Sequence, residues 1–159
     1  MTRGPTGTER VLADAAARGL DVEIIDRPEA RSVEEAAALI GIELGSLVKT
    51  LVVKRSDDRF LLVLVPGDRR IAWAPLRALV GVNRLQLPHA EQALAATGYA
   101  RGTITPLGAL GDWPLIADER IRGRRIALGA GAPGRSALVD ADALLAVYGA
   151  TVGDITEPA

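Results

Sequence analysis

Val48-Lys49-Thr50-Leu51-Val52-Val53-Lys54, Arg55-Ser56-Asp57-Asp58-Arg59 and Phe60-Leu61-Leu62-Val63-Leu64-Val65-Pro66-Gly67 follow one another without a break. Two apolar runs rich in β-branched residues flank a polar turn, and Pro66-Gly67 stops the second, which reads as a β-hairpin. The second run has no polar alternation and is expected to be buried on both faces. The first run holds the chain's only two lysines; apart from His89, every other basic residue is arginine. Side chains alternate faces along a strand, so Lys49 shares a face with Leu47, Leu51 and Val53, whereas Lys54 falls on the other and runs into the polar turn. A lysine at a strand edge ordinarily snorkels or guards against edge pairing. Ammonium, unlike guanidinium, is compact and shifts its pKa when buried. Lys49, with apolar neighbours and no local reason to be charged, is therefore the residue that asks for a function.

Working outward, the rest of the chain alternates helix and strand. Thr8 is expected to cap a helix over Glu9 to Arg18 closed by Gly19, and Val22 to Asp26 reads as a strand. Ser32-Val33-Glu34-Glu35 fits a capping box opening a helix to Ile40, with Gly41 at its end. Pro75 suits the first turn of a helix closing at Gly81. Arg84 to Leu87 alternates as a strand, and Pro88 starts a helix that Gly98 ends. Leu115 to Ala117 and Arg125 to Leu128 read as two strands around the Arg122-Gly123 turn. Arg135 to Val139 reads as another strand, and Asp140 or Asp142 begins a last helix to Tyr148, before Thr151-Val152 and a frayed tail. The expected architecture is a single α+β domain with a mixed, largely antiparallel, barrel-like sheet surrounded by helices. Residues 1–7 are read as a flexible leader and 8–156 as the domain.

Composition narrows the chemistry. The chain has 159 residues, 48% hydrophobic and 25% charged, with net charge −1, which is ordinary globular stock with a core of useful size. Without cysteine there is no disulfide, thiolate zinc site or cysteine nucleophile, and His89 alone cannot build a multi-histidine metal centre. No metal or cofactor is expected. No apolar run approaches the roughly twenty residues that span a bilayer, and the cytoplasm is the expected address. Near-neutral charge means that nucleic acid binding would have to rest on local arginine clusters. Two glycine loops, Gly102 to Gly108 and Gly129 to Gly134, let backbone approach a ligand closely. Gly129, Gly131 and Gly134 match the dinucleotide pattern by letter, but a strand rather than a helix follows. His89 reads as a surface residue, Asp68-Arg69-Arg70 as a solvated turn, and Trp73 and Trp113 as packing residues.

Five segments in order then carry a resemblance. Val48-Lys49-Thr50-Leu51-Val52-Val53, Val65-Pro66-Gly67-Asp68-Arg69-Arg70, Thr97-Gly98-Tyr99, Gly102-Thr103-Ile104-Thr105-Pro106-Leu107-Gly108 and Gly131-Ala132-Pro133-Gly134 together resemble the YbaK family of aminoacyl-tRNA editing domains, from about Val22 to Ile155. The resemblance implies the YbaK and prolyl-tRNA synthetase-associated editing fold. It also implies trans-editing hydrolysis of the ester of a mischarged tRNA, Cys-tRNA(Pro) foremost, with Ala-tRNA(Pro) or a non-catalytic tRNA- or synthetase-binding module as alternatives. It makes Lys49 the active-site lysine and Gly102 its catalytic loop partner. Thr50, Gly67, Asp68, Thr103, Pro106, Gly108, Gly129, Gly131 and Gly134 are the substrate-binding positions. The implied partners are the 3′ acceptor end of an aminoacyl-tRNA and prolyl-tRNA synthetase. The chain departs from the family at Gly102-Thr103, where two glycines are usual, and at Gly129, where serine is frequent. Aromatic pocket residues are absent near Val22 and Ala30, and the family's C-terminal acid corresponds to Asp140 or Asp142.

Overall fold

The computed structural model of the chain describes residues 6–56 and 58–159. Met1 to Pro5, most of the expected leader, lie outside the described residues, as does Asp57 of the hairpin turn. Helix α1 (Gly7–Ala17) begins inside the expected leader, capped by Thr6, whose side chain accepts the Glu9 N–H at 3.1 Å. Thr8 is not the cap. It is buried, and its hydroxyl donates to Ala130 O at 2.9 Å, so a tertiary contact claims the group that local capping would have used. After β1 (Glu23–Asp26), Ser32 Oγ accepts the Glu35 N–H at 3.1 Å and opens α2 (Val33–Ile40). Gly41 ends it in the left-handed region at φ 82°, as a C-terminal glycine does.

The hairpin forms as expected. β2 (Val48–Ser56) runs antiparallel to β3 (Arg59–Pro66), with Lys49 opposite Val65 and Val53 opposite Leu61. β3 is indeed buried on both faces: Leu62 and Leu64 pack into one core, Leu61, Val63 and Val65 into a second. Each such side chain contributes roughly 1.5–3 kcal/mol relative to exposure, which makes this strand the centre of the molecule. β4 (Arg69–Ile71) follows, then α3 (Trp73–Val80) and α4 (Ala90–Thr97). The remaining elements are β5 (Leu115–Asp118), β6 (Arg125–Gly129), β7 (Arg135–Asp140), α5 (Ala141–Tyr148), β8 (Thr151–Gly153) and β9 (Thr156–Pro158). Asp140 caps α5 by accepting the Ala143 N–H at 2.9 Å, while Asp142 accepts the Gly123 N–H at 3.1 Å.

The fold is α+β with mixed sheets, ordered β1-β7-β6, β2-β3-β5-β8 and β4-β9. Three local expectations give way to tertiary pairing. Leu115 and Arg125 begin strands of different sheets, β5 running parallel to β3 and β6 antiparallel to β7. The buried Ile121 in the intervening 3-10 turn (Glu119–Ile121) carries the chain across between them. Arg84 to Leu87 makes only a two-bond bridge, Lys54 N–H to Gln86 O at 2.7 Å and Gln86 N–H to Lys54 O at 3.1 Å. Arg69-Arg70 is a strand, not a solvated turn, because the C-terminus pairs with it as β9 and is not frayed. Asp118 secures that end. Fully buried, it accepts from the Arg120 N–H at 3.0 Å, the Arg120 guanidinium at 3.1 Å, the Ile155 N–H at 3.2 Å and the Thr156 hydroxyl at 2.8 Å.

Candidate active site

β2 is an edge strand, and its outer edge is covered at both ends but open in the middle. Leu47 bridges to Ala127 of β6, and Lys54 bridges to Gln86. The Lys54 N–H and C=O point outward to Gln86, so those of Val52 and Thr50 point the same way, because orientation alternates in an antiparallel ladder. No strand pairs with them among the described residues. A cavity of about 670 Å³ opens at this gap, floored by Val48 to Val52. Its walls come from α2, the Leu87-Pro88 entry to α4, the Arg101 to Ile104 segment and the ends of β6 and β7.

Lys49 and Thr50 stand on this floor. The Lys49 ammonium donates to Arg69 O at 2.7 Å, which orients the side chain and leaves two of its three N–H groups free. Partial burial lowers its pKa, opposed by the carboxylates of Asp68 and Glu34. Thr50 is 8% exposed, and its hydroxyl is the one buried side-chain polar atom without a partner among the described residues. Leaving a buried hydroxyl unpaired costs about 1–3 kcal/mol, and such atoms ask for a ligand. Replacing Thr50 by valine keeps the β-branched shape and removes the unpaired group. Thr50→Val is expected to raise stability by about 1 kcal/mol. In thermal unfolding that is a rise of roughly 2–4 °C. A destabilised Thr50→Val would contradict the reading of this hydroxyl as an unpaired buried group.

The two glycine loops meet beside this floor. Gly131 N–H donates to Thr103 O at 3.1 Å. A Cβ on Gly129 would lie 2.6 Å from Ile104 O and 2.9 Å from Thr103 O, so only glycine lets the first loop lie against β6. Lys49, Thr50, Gly102 and Gly129 line the cavity. The other predicted positions do not. Gly67 N–H bonds Leu47 O at 2.7 Å and closes the end of the hairpin, and Asp68 acts on Lys49 through its charge. Thr103 is buried, its hydroxyl bonded to Ala100 O at 2.7 Å. Gly134 O accepts the Arg27 N–H at 2.8 Å. Pro106 and Gly108 line a separate cavity of about 210 Å³ behind the loop. Neither Asp140 nor Asp142 lines the main cavity, and His89 sits exposed at the start of α4, its N–H bonded to Gln92 Oε1 at 3.1 Å.

Side chains outside the predicted site positions hold the first loop from behind. Tyr99 hydroxyl donates to Leu107 O at 2.6 Å, and Arg10 donates to Gly108 O at 3.3 Å while stacking on the Tyr99 ring. Asp14 accepts from the Gly108 N–H at 2.9 Å, the Tyr148 hydroxyl at 2.7 Å and Arg18 at 3.1 Å. Burial pushes the Asp14 carboxyl up, but these hydrogen bonds outweigh it and the net pKa lies below 3.8. Burial and the Asp14 carboxylate push the Tyr148 phenol well above its ordinary value, so it stays protonated as the donor. A carboxyl depressed by folding stabilises above its unfolded pKa and loses that contribution as pH falls through the folded one. The stability gap between the natural protein and Asp14→Asn is therefore expected to be widest near neutrality and to shrink below pH 3.8. Urea midpoints measured across that range check it; a gap independent of pH would refute it.

Comparison with known proteins gives the family. The aminoacyl-tRNA editing domain family matches residues 27–147. The chain belongs to that family. The proline–tRNA ligase of Bacillus velezensis is 34% identical over 101 residues, 64% of this chain and 18% of the ligase. That of Nitratidesulfovibrio vulgaris is 34% identical over 118 residues, 74% of this chain and 20% of the ligase. The chain thus spans about a fifth of the length of these curated relatives. A crystal structure of a candidate trans-editing enzyme for prolyl tRNA synthetase superposes on this editing domain with TM-score 0.87 at 30% identity, covering 98% of this chain and 99% of that one. The hypothetical protein APE2540 has TM-score 0.86 at 29% identity over 93% of this chain. Among the described residues of the editing domain, no helix is long and apolar enough to cross a membrane.

Proposed function

We propose that this editing domain is a deacylase that hydrolyses the ester of a mischarged tRNA, Cys-tRNA(Pro) first and Ala-tRNA(Pro) as the alternative. One observation carries the reading: Lys49, whose ammonium keeps two N–H groups free, and Thr50, whose hydroxyl is unpaired, both line a cavity at an unpaired strand edge. An aminoacyl ester is already activated, so the protein need not supply a strong nucleophile. It has to hold the carbonyl and stabilise the negative charge that develops on its oxygen.

In this mechanism the free N–H groups of Lys49 bind the terminal ribose and the ester. The open edge of β2 and the exposed Gly102 segment offer main-chain donors to the carbonyl oxygen. Water adds to the carbonyl carbon, the tetrahedral intermediate collapses, and the bond to the ribose oxygen breaks. The free amino acid and a tRNA with a restored hydroxyl leave. With a cysteinyl ester the substrate's own thiol can attack instead, releasing the tRNA and a thiolactone that water then opens. The amino-acid side chain would lie among Ala30, Ala36, Val48 and Leu128, small apolar walls that suit a thiol or a methyl group.

Deacylation of proline tRNA charged with cysteine, alanine or proline tests the proposal. Release of cysteine or alanine with proline left in place supports it. Absence of hydrolysis on every charged tRNA would instead favour a binding module that has kept the fold.

A further inference from the structure

The charged residues that line the main cavity are Arg27, Arg31, Lys49 and Arg101, and all four are cations. The chain as a whole carries 20 acidic and 19 basic residues, so its composition gives no reason for a cavity without carboxylates. Two of the four are already engaged: Lys49 with Arg69 O, and Arg27 through Nε to Ser136 Oγ at 3.0 Å and Nη1 to Pro28 O at 3.0 Å. Arg31 and Arg101 are exposed and have neither a hydrogen bond nor an ion pair from their side chains among the described residues. Elsewhere on the surface some arginines find acids. Arg125 pairs with Glu23 at 3.0 Å, Arg135 with Asp26 at 2.9 Å and Arg70 with Glu157 at 3.4 Å. Others, such as Arg84 and Arg122, are equally without a side-chain partner among the described residues, so Arg31 and Arg101 are set apart by their place in the cavity lining. The carboxylates nearest Arg31 in sequence, Glu29, Glu34 and Glu35, stay outside the cavity lining.

We propose that Arg31 and Arg101 grip the phosphodiester backbone of the RNA strand whose terminal ribose carries the ester. This rests on the deacylase reading. An ester held over Lys49 leaves the rest of its strand to exit through the mouth, with one phosphate per nucleotide. Guanidinium is the side chain that matches a phosphate with two parallel hydrogen bonds. Arg31 precedes α2 and Arg101 opens the first glycine loop, so two segments remote in sequence supply the grip. The protein then needs no general positive charge to bind RNA.

Two measurements on the full chain test this. The first is binding of an uncharged RNA hairpin with a single-stranded 3′ end, across a salt series, to the natural protein, Arg31→Ala, Arg101→Ala and the double variant. Each substitution is expected to weaken binding roughly threefold to tenfold and to flatten the log Kd against log salt slope by roughly 0.7. The second is turnover of aminoacyl-tRNA beside 3′-O-aminoacyladenosine, which has no phosphate. The arginine variants are expected to raise KM for the tRNA while kcat holds, with the loss confined to the phosphate-bearing substrate. Equal losses on both substrates would overturn the proposal, since the arginines would then act on the ester end. Unchanged RNA affinity and salt slope in the double variant would also overturn it. If the natural protein hydrolyses neither substrate, the deacylase reading fails by itself, and the binding series still decides whether Arg31 and Arg101 hold RNA.

Discussion

Lys49→Ala is expected to lower deacylation by roughly 100-fold or more, the scale on which removal of one preorganised donor to a developing oxyanion acts. The ammonium is preorganised in the literal sense: one N–H is tied to Arg69 O at 2.7 Å, so the others have fixed directions before substrate arrives. Lys49→Arg should fail nearly as badly, because guanidinium is larger and flat and cannot keep that bond while pointing at the same place. Neither substitution should unfold the protein, since Lys49 is only partly buried. The ammonium is the active form, and burial has lowered its pKa from 10.5. After subtraction of uncatalysed ester hydrolysis, kcat/KM should therefore fall as pH rises through a value below 10.5, and the fall should be missing from the residual activity of Lys49→Arg. Lys54→Ala should change turnover little, because Lys54 is absent from the cavity lining. Full activity in Lys49→Ala would remove the lysine from the mechanism.

Asp118→Ala is expected to give the largest loss of stability, about 3–5 kcal/mol, the cost of leaving several buried donors without their acceptor at about 1–3 kcal/mol each. Asp118 is fully buried and draws together β5, the following 3-10 turn and β9. Its removal leaves the buried Ile155 N–H and Thr156 hydroxyl without their acceptor, and water cannot easily reach them. Arg120 suffers less, because its side chain is 36% exposed and keeps Asp154 at 2.7 Å. The midpoint of thermal unfolding should drop by on the order of 10 °C. Asp118→Asn should restore only part of this, since its amide N–H₂ turns a donor toward donors. A shift of less than about 1 kcal/mol in Asp118→Ala would show that the carboxylate is dispensable. Lys49 and Asp118 thus separate chemistry from stability: the first substitution should spare folding, and the second should lower activity only as far as the protein unfolds.

The hairpin and its lysine were legible because their information is local. Alternation along β2 assigned Lys49 and Lys54 to opposite faces, and the unbroken apolar run of β3 announced a strand between two cores. Helix ends were legible for the same reason wherever the cap lies within one turn, as at Ser32 and Gly41. Thr6 and Thr8 show where that logic stops. Both could cap α1, and the choice fell to Ala130, which is remote in sequence and took the Thr8 hydroxyl.

The site divides along the same line. Sequence alone determined a hairpin with a lysine on an apolar strand and two glycine loops, because residue type, period and turn chemistry act over a few neighbours. Tertiary structure decided that the loops touch through Gly131 and Thr103, and that Asp14 and Tyr148 hold the first from behind. It also decided that β2 stays open at Thr50, that a hydroxyl there has no partner, and that Arg27, Arg31, Lys49 and Arg101 share one cavity. Such properties depend on which distant groups arrive to pair, cover or oppose a residue, and they come into being only when the chain closes on itself.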